Sequence, residues 1–562
     1  MSRLLLTLLM LNFLLVAPLW WRFGDLSAHL IAWEAFIIAP LMLLLPAGQV
    51  RRLVGIGLVS WVMLATAANL GTAATHMAFA RPLNLYLDVP LLRSIYHLLV
   101  GNVGQLLAVF AMLAGVALLL GITLGLTRLL LPPVSYPLKR LPGIVAFTLL
   151  IVATTCAVLE INGVRWVDSA RLPMVNSTRF QWQQITDTHA ARLAFTAQLE
   201  AAPLERQPLP GLEGRNVLLT FVESYGVSAL DDPRYASILQ PTLADMQQRL
   251  AARDLHVVSG MLQSPIRGGQ SWLAHATALS GRWIDNQLWY QLMLDSSHST
   301  LIDDFSATGQ RTLAVMPAIT LAWPEGEAYG FDEIAAAKDI DYAGPALNWV
   351  TMPDQFTLDY TQRHLIGNSP LFAQLALISS HAPWTPILPV LDDWSSIGDG
   401  RIFAPWQAAG DPPEVLWQDI ERIRDHYAWS VDYAVKVTGR WAERVVDDNT
   451  LLIVLGDHQP APLITGDSAS AAVPVHIISG DPALLAPFLA RGFVNGTLPP
   501  LAQAPNAPRM SQLRHWLQED FGELATELSV DEQTGTTFET EIPPDLGAVT
   551  RTMTRTMTRT QQ

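Results

Sequence analysis

Asn216-Val-Leu-Leu-Thr-Phe-Val-Glu-Ser-Tyr-Gly226 decides the fold of the larger part of this chain. Its apolar run stops in a single step at Glu223. A run without polar alternation predicts a strand buried on both faces, as in sheets covered by helices. Two further stretches end the same way. Leu371 to Ile378 runs into Ser379-Ser-His-Ala-Pro-Trp384, and Thr450 to Leu455 runs into Gly456-Asp-His-Gln459. Ligands of open α/β sheets bind just beyond such strand ends, so the three polar clusters are candidates for one site. From about 213 to 500, short apolar runs alternate with helical patterns over enough chain for one α/β domain.

Outward from this domain the composition changes. The chain has 562 residues, 50% of them hydrophobic and 15% charged, with mean hydropathy +0.26. That is too apolar for a wholly soluble protein and far too apolar for a disordered one. Residues 1–165 hold 10 of the 35 Lys and Arg and 4 of the 50 Asp and Glu, a net +6 that leaves −21 for the remainder. An acidic outer part argues against nucleic acid as a partner, since neutralising phosphates takes clustered Lys and Arg. The one cysteine, Cys156, excludes an intramolecular disulfide framework and any Cys-rich zinc module. A metal must therefore be held by oxygen and imidazole ligands.

Five apolar stretches read as membrane spans: Leu4 to Trp21, Leu26 to Leu45, Leu53 to Leu70, Leu106 to Leu131 and Ile144 to Leu159. Each is near the ~20 residues needed to cross. The first ends in Val-Ala-Pro-Leu-Trp-Trp21, lacks a small-residue cleavage pattern, and is expected to be an uncleaved anchor. Arg3, Arg51, Arg52, Arg128, Lys139 and Arg140 fall on the side that the positive-inside rule assigns to the cytoplasm. Five crossings then leave everything after Glu160 outside, as expected for a multi-pass protein of a bacterial cytoplasmic (inner) membrane with a periplasmic or extracellular domain. The loop of about 71–105, with Asp88, Pro90, Arg93 and His97 among leucines, reads as an interfacial helix. His29 and Glu34 lie in the second stretch, where ionisable groups either pack against neighbouring helices or serve function. The expected units are a membrane domain (1–160), a linker helix and hinge (161–212), the catalytic domain (213–500), and an amphipathic helix with a low-complexity, disordered tail (501–562).

Glu223, Asp457 and His458 supply two carboxylates and an imidazole, a set suited to Mn²⁺, Zn²⁺ or Mg²⁺. Arg267-Gly-Gly-Gln-Ser-Trp272 is a glycine-bearing loop feeding a helix, which places Ser271 at a helix N-terminus as a fourth ligand and as nucleophile. Arg267 is a candidate for neutralising phosphate oxygens. His381 is a candidate for hydrogen-bonding the transferred group or protonating the leaving oxygen. Singly, each has a structural alternative: a solvated turn for Glu223 and for Asp457-His458, an N-cap for Ser271. His476, in a strand, reads as packed and hydrogen-bonded. His275 and Thr277 follow Ser271 on its helix, and Ser264 is a competing nucleophile.

As a set, the Asn216–Gly226 segment, the Ser271 loop, Tyr329-Gly-Phe-Asp332, Ser379–Trp384 and Leu455-Gly-Asp-His458 resemble the sulfatase-like branch of the alkaline phosphatase superfamily. Their order behind five spans is similar to lipoteichoic acid synthases and related phosphoglycerol transferases. The resemblance covers residues 213–485 in detail and implies a central mixed sheet, with one divalent ion, Mn²⁺ in the synthases, on Glu223, Ser271, Asp457 and His458. It also implies a covalent intermediate on Ser271, where the family has threonine. Departures narrow the reading. Ser271-Trp-Leu-Ala-His275 lacks the proline and arginine of formylglycine sulfatases. The single cysteine cannot form the disulfides usual in phosphoethanolamine transferases. Trp349 and Met352-Pro-Asp-Gln-Phe356 match the synthases' glycerol phosphate pocket only loosely, without its arginine, so the headgroup stays open. The expected activity is transfer of a phospholipid headgroup, phosphoglycerol or phosphoethanolamine, from a membrane phospholipid donor to an extracytoplasmic glycan or lipid acceptor. The alternatives are a hydrolase of phosphate or sulfate esters and a non-catalytic sensor.

Overall fold

The computed structural model describes residues 2–25, 27–79, 81–89, 100, 104–131, 140–201 and 205–522. Its N-terminal part is helical: α1 (Ser2–Phe23), α2 (Trp33–Leu44), α3 (Gln49–Phe79), α4 (Gln105–Leu130), α5 (Arg140–Ile161) and α6 (Pro173–Ala201). Among the described residues, four helices, α1, α3, α4 and α5, are long and apolar enough to cross a membrane. The second expected span is corrected. In place of Leu26 to Leu45 stands the 12-residue α2, about 18 Å long at 1.5 Å per residue and short of a ~30 Å hydrocarbon core. The chain before it is spent on a loop and on a two-residue parallel bridge, Ile31-Ala32 with Ala170-Arg171.

His29 therefore lies outside α2, in that loop, stacked on Phe23 at 5.0 Å. Glu34 is buried at the start of α2, and its Oε1 accepts from the amides of Met174 and Val175 at 2.9 and 3.2 Å. Those amides belong to the first turn of α6, where intrahelical acceptors are lacking. Of the two readings open for it in the sequence, Glu34 takes the packing one, capping a helix across the bundle.

Successive helices of the bundle run in alternate directions. Arg3 at the start of α1 donates to the carbonyls of Arg128 and Leu129 at the end of α4. Gly55, near the start of α3, has no side chain and sits against Met42 of α2 and Leu131. The starts of α1 and α3 and the ends of α2 and α4 thus share one end, which carries Arg3, Arg51, Arg52 and Arg128. Of the expected interfacial stretch, Leu85–Asp88 is a helical turn capped by Asn84. Pro90, Arg93 and His97, like Lys139 and the tail beyond 522, lie outside the described residues.

The second part is built on an eight-stranded mixed sheet. Its strands are β1 (Asn216–Val222), β2 (His256–Gln263), β3 (Arg311–Met316), β4 (Glu333–Ala336), β5 (Leu371–Leu377), β6 (Thr450–Gly456), β7 (Ala472–Ser479) and β8 (Val494–Asn495). Their order is β8-β2-β7-β6-β1-β5-β3-β4. β6 to β4 are parallel, whereas β7, β2 and β8 pair antiparallel. The three strands expected from sequence are the adjacent central ones. Val222 is level with both Leu377 and Gly456, so the polar segments after these strands leave the sheet side by side.

Alternate residues of β1 enter opposite cores, as a strand covered on both faces requires. Leu218 and Val222 pack with helices Pro233–Ala251 and Ile420–Val445. Val217, Leu219 and Phe221 pack with helices Ser271–Ser280 and Gln512–Phe521. The second core also takes Leu209 and Leu212 from one side of the sequence and Phe521 from the other, so the packing unit runs past the expected edges at 213 and 500.

A fully buried ion pair holds these edges. Arg514 bonds Asp304 at 2.8 and 3.0 Å and also donates to the carbonyl of Ser280, the last residue of the Ser271 helix. Asp304 in turn accepts from the amide of Gln207 at 2.8 Å. Arg514→Leu would leave an uncompensated buried carboxylate, costing about 3–5 kcal/mol. We expect the thermal midpoint of the purified full chain to fall by roughly 10 °C. Arg514→Leu/Asp304→Leu should recover part of that loss in the same melt.

Candidate active site

Glu223 follows β1 and Asp457-His458 follow β6, and the two strand ends touch. Gly456 makes this possible: a Cβ there would stand 1.8 Å from the Tyr225 carbonyl oxygen. Ser224 turns the chain with φ +56°, its amide donating to Asp457 Oδ1 at 2.8 Å and its hydroxyl to Glu223 Oε1 at 2.8 Å. The Asp457 and Glu223 carbonyls are anchored from behind by the hydroxyls of Ser264 and Ser380, each at 2.6 Å. Ser264, the competing nucleophile of the sequence reading, is buried with its hydroxyl committed to that carbonyl.

Ser271 arrives from a third direction. Gly268, Gly269 and Gln270 all have positive φ, and this reversal presents Ser271 as the first residue of its helix. Its Oγ donates to Glu223 Oε2 at 2.9 Å and lies 3.2 Å from His458 Nε2. His458 Nε2 is 3.4 Å from Glu223 Oε1 and 3.8 Å from Asp457 Oδ2. Its Nδ1 faces the Gln459 carbonyl oxygen at 2.8 Å, which can only accept; that nitrogen carries the proton and Nε2 offers a lone pair to the site. The structure thus brings together all four expected ligands.

One ligand atom each from Glu223, Asp457 and His458 lie within 4.8 Å of one another, all buried. Among the described residues, no Lys or Arg pairs with either carboxylate. Burial and the Glu223 charge together push the Asp457 carboxyl well above its ordinary range. Burial also works against the Glu223 charge, which the hydroxyls of Ser224 and Ser271 partly offset by donating to its two oxygens. Two buried acids, an imidazole lone pair and a hydroxyl, with no protein cation among the described residues, fit a divalent metal ion.

The other candidates lie elsewhere. His381 is exposed on the open side, its ring 6.4 Å from that of Trp349. Arg267 turns away from Ser271: its guanidinium donates to the Asp467 carbonyl at 3.4 Å and lines a separate cavity of about 640 Å³ with Gln263 and Ser470. Backbone reversal at Gly268 and Gly269 separates the Ser271 side chain from Arg267, the residue expected to neutralise phosphate oxygens. His275 packs beneath the site against Phe221 at 4.1 Å, and burial lowers its pKa to about 3. Asp354, which sequence reasoning placed only within the stretch loosely matching the headgroup pocket, is buried and accepts from the amides of Ile378 and Ser379 at 2.7 and 3.0 Å, bracing the His381 loop. Its signal was the Pro353-Asp354 pair opening a helix.

His476 is structural. Its ring nitrogens lie 2.8 Å from Ser259 Oγ and 3.1 Å from the Tyr225 hydroxyl, and burial lowers its pKa from 6.5 to about 4. Between those values the unfolded chain binds more protons, so this residue's contribution to stability falls as pH drops from about 6.5 to 4. In His476→Gln, the decline of the thermal midpoint between pH 7.5 and pH 5 should be smaller than in the parent chain.

No family model matches the chain, and no curated protein matches it. Among solved structures it is similar to the integral membrane lipooligosaccharide phosphoethanolamine transferase A (EptA) from Neisseria meningitidis, at 12% identity and TM-score 0.45, over 92% of this chain and 94% of that one. It is also similar to the lipoteichoic acid synthase LtaP from Listeria monocytogenes, at 14% identity and TM-score 0.33, over 48% of this chain and 66% of that one. A third is the phosphoglycerol transferase GacH from Streptococcus pyogenes in complex with sn-glycerol-1-phosphate, at 12% identity and TM-score 0.33, over 63% of this chain and 97% of that one.

Proposed function

We propose that the chain is a membrane-anchored, metal-dependent transferase of the sulfatase-like type, moving a phospholipid headgroup through a covalent intermediate on Ser271. One observation carries this reading: the Ser271 hydroxyl, first in its helix, bonds Glu223 and adjoins His458 in a buried set of two carboxylates and an imidazole. A divalent ion on Glu223, Ser271, Asp457 and His458, Mn²⁺ for preference, would stabilise the seryl alkoxide and draw in phosphate oxygens.

The residues then divide the work. Ser271 Oγ bonds to phosphorus as the bond from phosphorus to the diacylglycerol oxygen breaks. The hydroxyl proton leaves along its hydrogen bond to Glu223 Oε2, and His381 protonates the departing oxygen. Amides at the start of the Ser271 helix favour the anionic phosphate. An acceptor hydroxyl, on a glycan or lipid outside the cytoplasm, then gives its proton to the now neutral His381 and attacks the same phosphorus; the bond from phosphorus to Ser271 Oγ breaks, and Ser271 takes back its proton from Glu223. Arg267, turned toward Asp467, has no part in this scheme.

The arginines at the bundle end reached by the start of α1 support a cytoplasmic placement of that end. The alternating directions of α1 to α4 support α2 as a short fifth membrane element, with α5 continuing the alternation. The catalytic domain then lies outside, in the periplasm of a bacterial inner membrane.

Incubating the full chain with bacterial phospholipids and Mn²⁺ should give a glycerophosphate or phosphoethanolamine adduct, read by intact mass and mapped to Ser271. Ser271→Ala should lose the adduct and lower transfer by roughly 10⁴-fold or more. Asp457→Asn should lower the bound metal measured by elemental analysis. Release of free headgroup phosphate without any acceptor would replace the transferase with a hydrolase.

A further inference from the structure

The C-terminal end of α3 lies hard against the loop that presents Ser271. A Cβ on Gly268 would stand 2.0 Å from the Ala78 carbonyl oxygen, and one on Gly269 would stand 3.6 Å from Phe79 Cε1. One turn earlier, His76 Nε2 is 3.8 Å from the carboxylate of Asp467. Phe79 is half-buried, with the Arg81 guanidinium over its ring at 5.7 Å. Arg81 is itself fixed by two bonds to Asp88, at 2.9 and 2.6 Å. Phe79 is therefore a braced aromatic ring, contributed by a membrane helix, beside the two glycines that set the nucleophile.

Its depth is informative. At 1.5 Å per residue, the 31 residues of α3 span about 46 Å, against ~30 Å of hydrocarbon and ~40–45 Å with headgroups. With Arg51 and Arg52 set at the cytoplasmic boundary by the proposed topology, His76 to Phe79, about 36–42 Å further along α3, would stand at the opposite headgroup layer, the level at which a phospholipid carries its phosphodiester. Next to Ser271 in the chain, Trp272 is 40% exposed, its Nε1 donating to Gln287 Oε1 at 2.8 Å.

Resting on the phospholipid-donor reading, we propose that the donor docks in this seam between α3 and the nucleophile loop, with the Phe79 ring against its glycerol and first acyl methylenes. The membrane part is then a wall of the active site as well as an anchor. Phe79 contacts the substrate's apolar neck and leaves the reacting atoms to Ser271.

The test uses the full chain in nanodiscs containing phosphatidylglycerol or phosphatidylethanolamine with fluorescent acyl chains, following release of fluorescent diacylglycerol against donor density. Phe79→Ala should raise KM by roughly ten-fold while kcat stays within about two-fold, the signature of lost ground-state contact. Phe79→Leu, which keeps an apolar contact, should restore KM. An unchanged KM in Phe79→Ala, or a fall in kcat alone in both variants, would overturn the seam while leaving the headgroup transferase standing. A parent chain that consumes neither phospholipid would overturn both.

Discussion

Two carboxylates at the ends of adjacent parallel strands are the constraint around which this structure is organised. Because Val222 of β1 is level with Gly456 of β6, Glu223 and Asp457 emerge side by side, both buried. Like charges at such separation repel strongly in a low-dielectric interior, and among the described residues neither finds a lysine or arginine partner. The arrangement makes physical sense with a cation between them, and the remaining pieces follow from that need. His458 turns a lone pair inward, Ser224 fills two of the carboxylate lone pairs, and Ser271 adds an oxygen.

The Ser271 helix is secured at both ends by chain from outside the strand pattern. Its N-terminal loop abuts the end of α3, and its last carbonyl bonds Arg514 of the C-terminal helix. The polarity is consistent. Amides and positive φ residues at the start invite an anion, whereas Arg514 and the rings of His298 and His515 meet the carbonyls of Ser280 and Gly281 at the finish. Membrane bundle, linker and C-terminal helix thus all bear on the position of one hydroxyl. Glu34, by capping α6 from α2, ties that linker helix to the bundle in turn.

What could be read directly was local and periodic. Unbroken apolar runs with abrupt polar stops located β1, β5 and β6 to within a residue, and the same stops marked Glu223, His381 and Asp457-His458. β3 and β4 were less legible, because Arg311–Met316 and Glu333–Ala336 begin on charged residues and are short. Hydropathy found the four long membrane helices but overestimated α2, since an apolar loop and an apolar helix have the same composition.

The sequence by itself determined which residues would lie at strand ends, that any metal would be held by oxygen and nitrogen, and that the first 165 residues belong with lipid. Side-chain period and residue chemistry are sufficient for those conclusions, since each depends on neighbours along the chain. Only the tertiary structure decided that Ser271 meets Glu223 and His458 whereas Arg267, four residues earlier, does not, because positive φ angles at Gly268 and Gly269 reverse the chain between them. It also decided that Glu34 is a helix cap, that Arg514 closes the domain from far along the chain, and that α3 reaches the loop before Ser271. Those contacts join residues distant in sequence, and packing alone sets which of them meet.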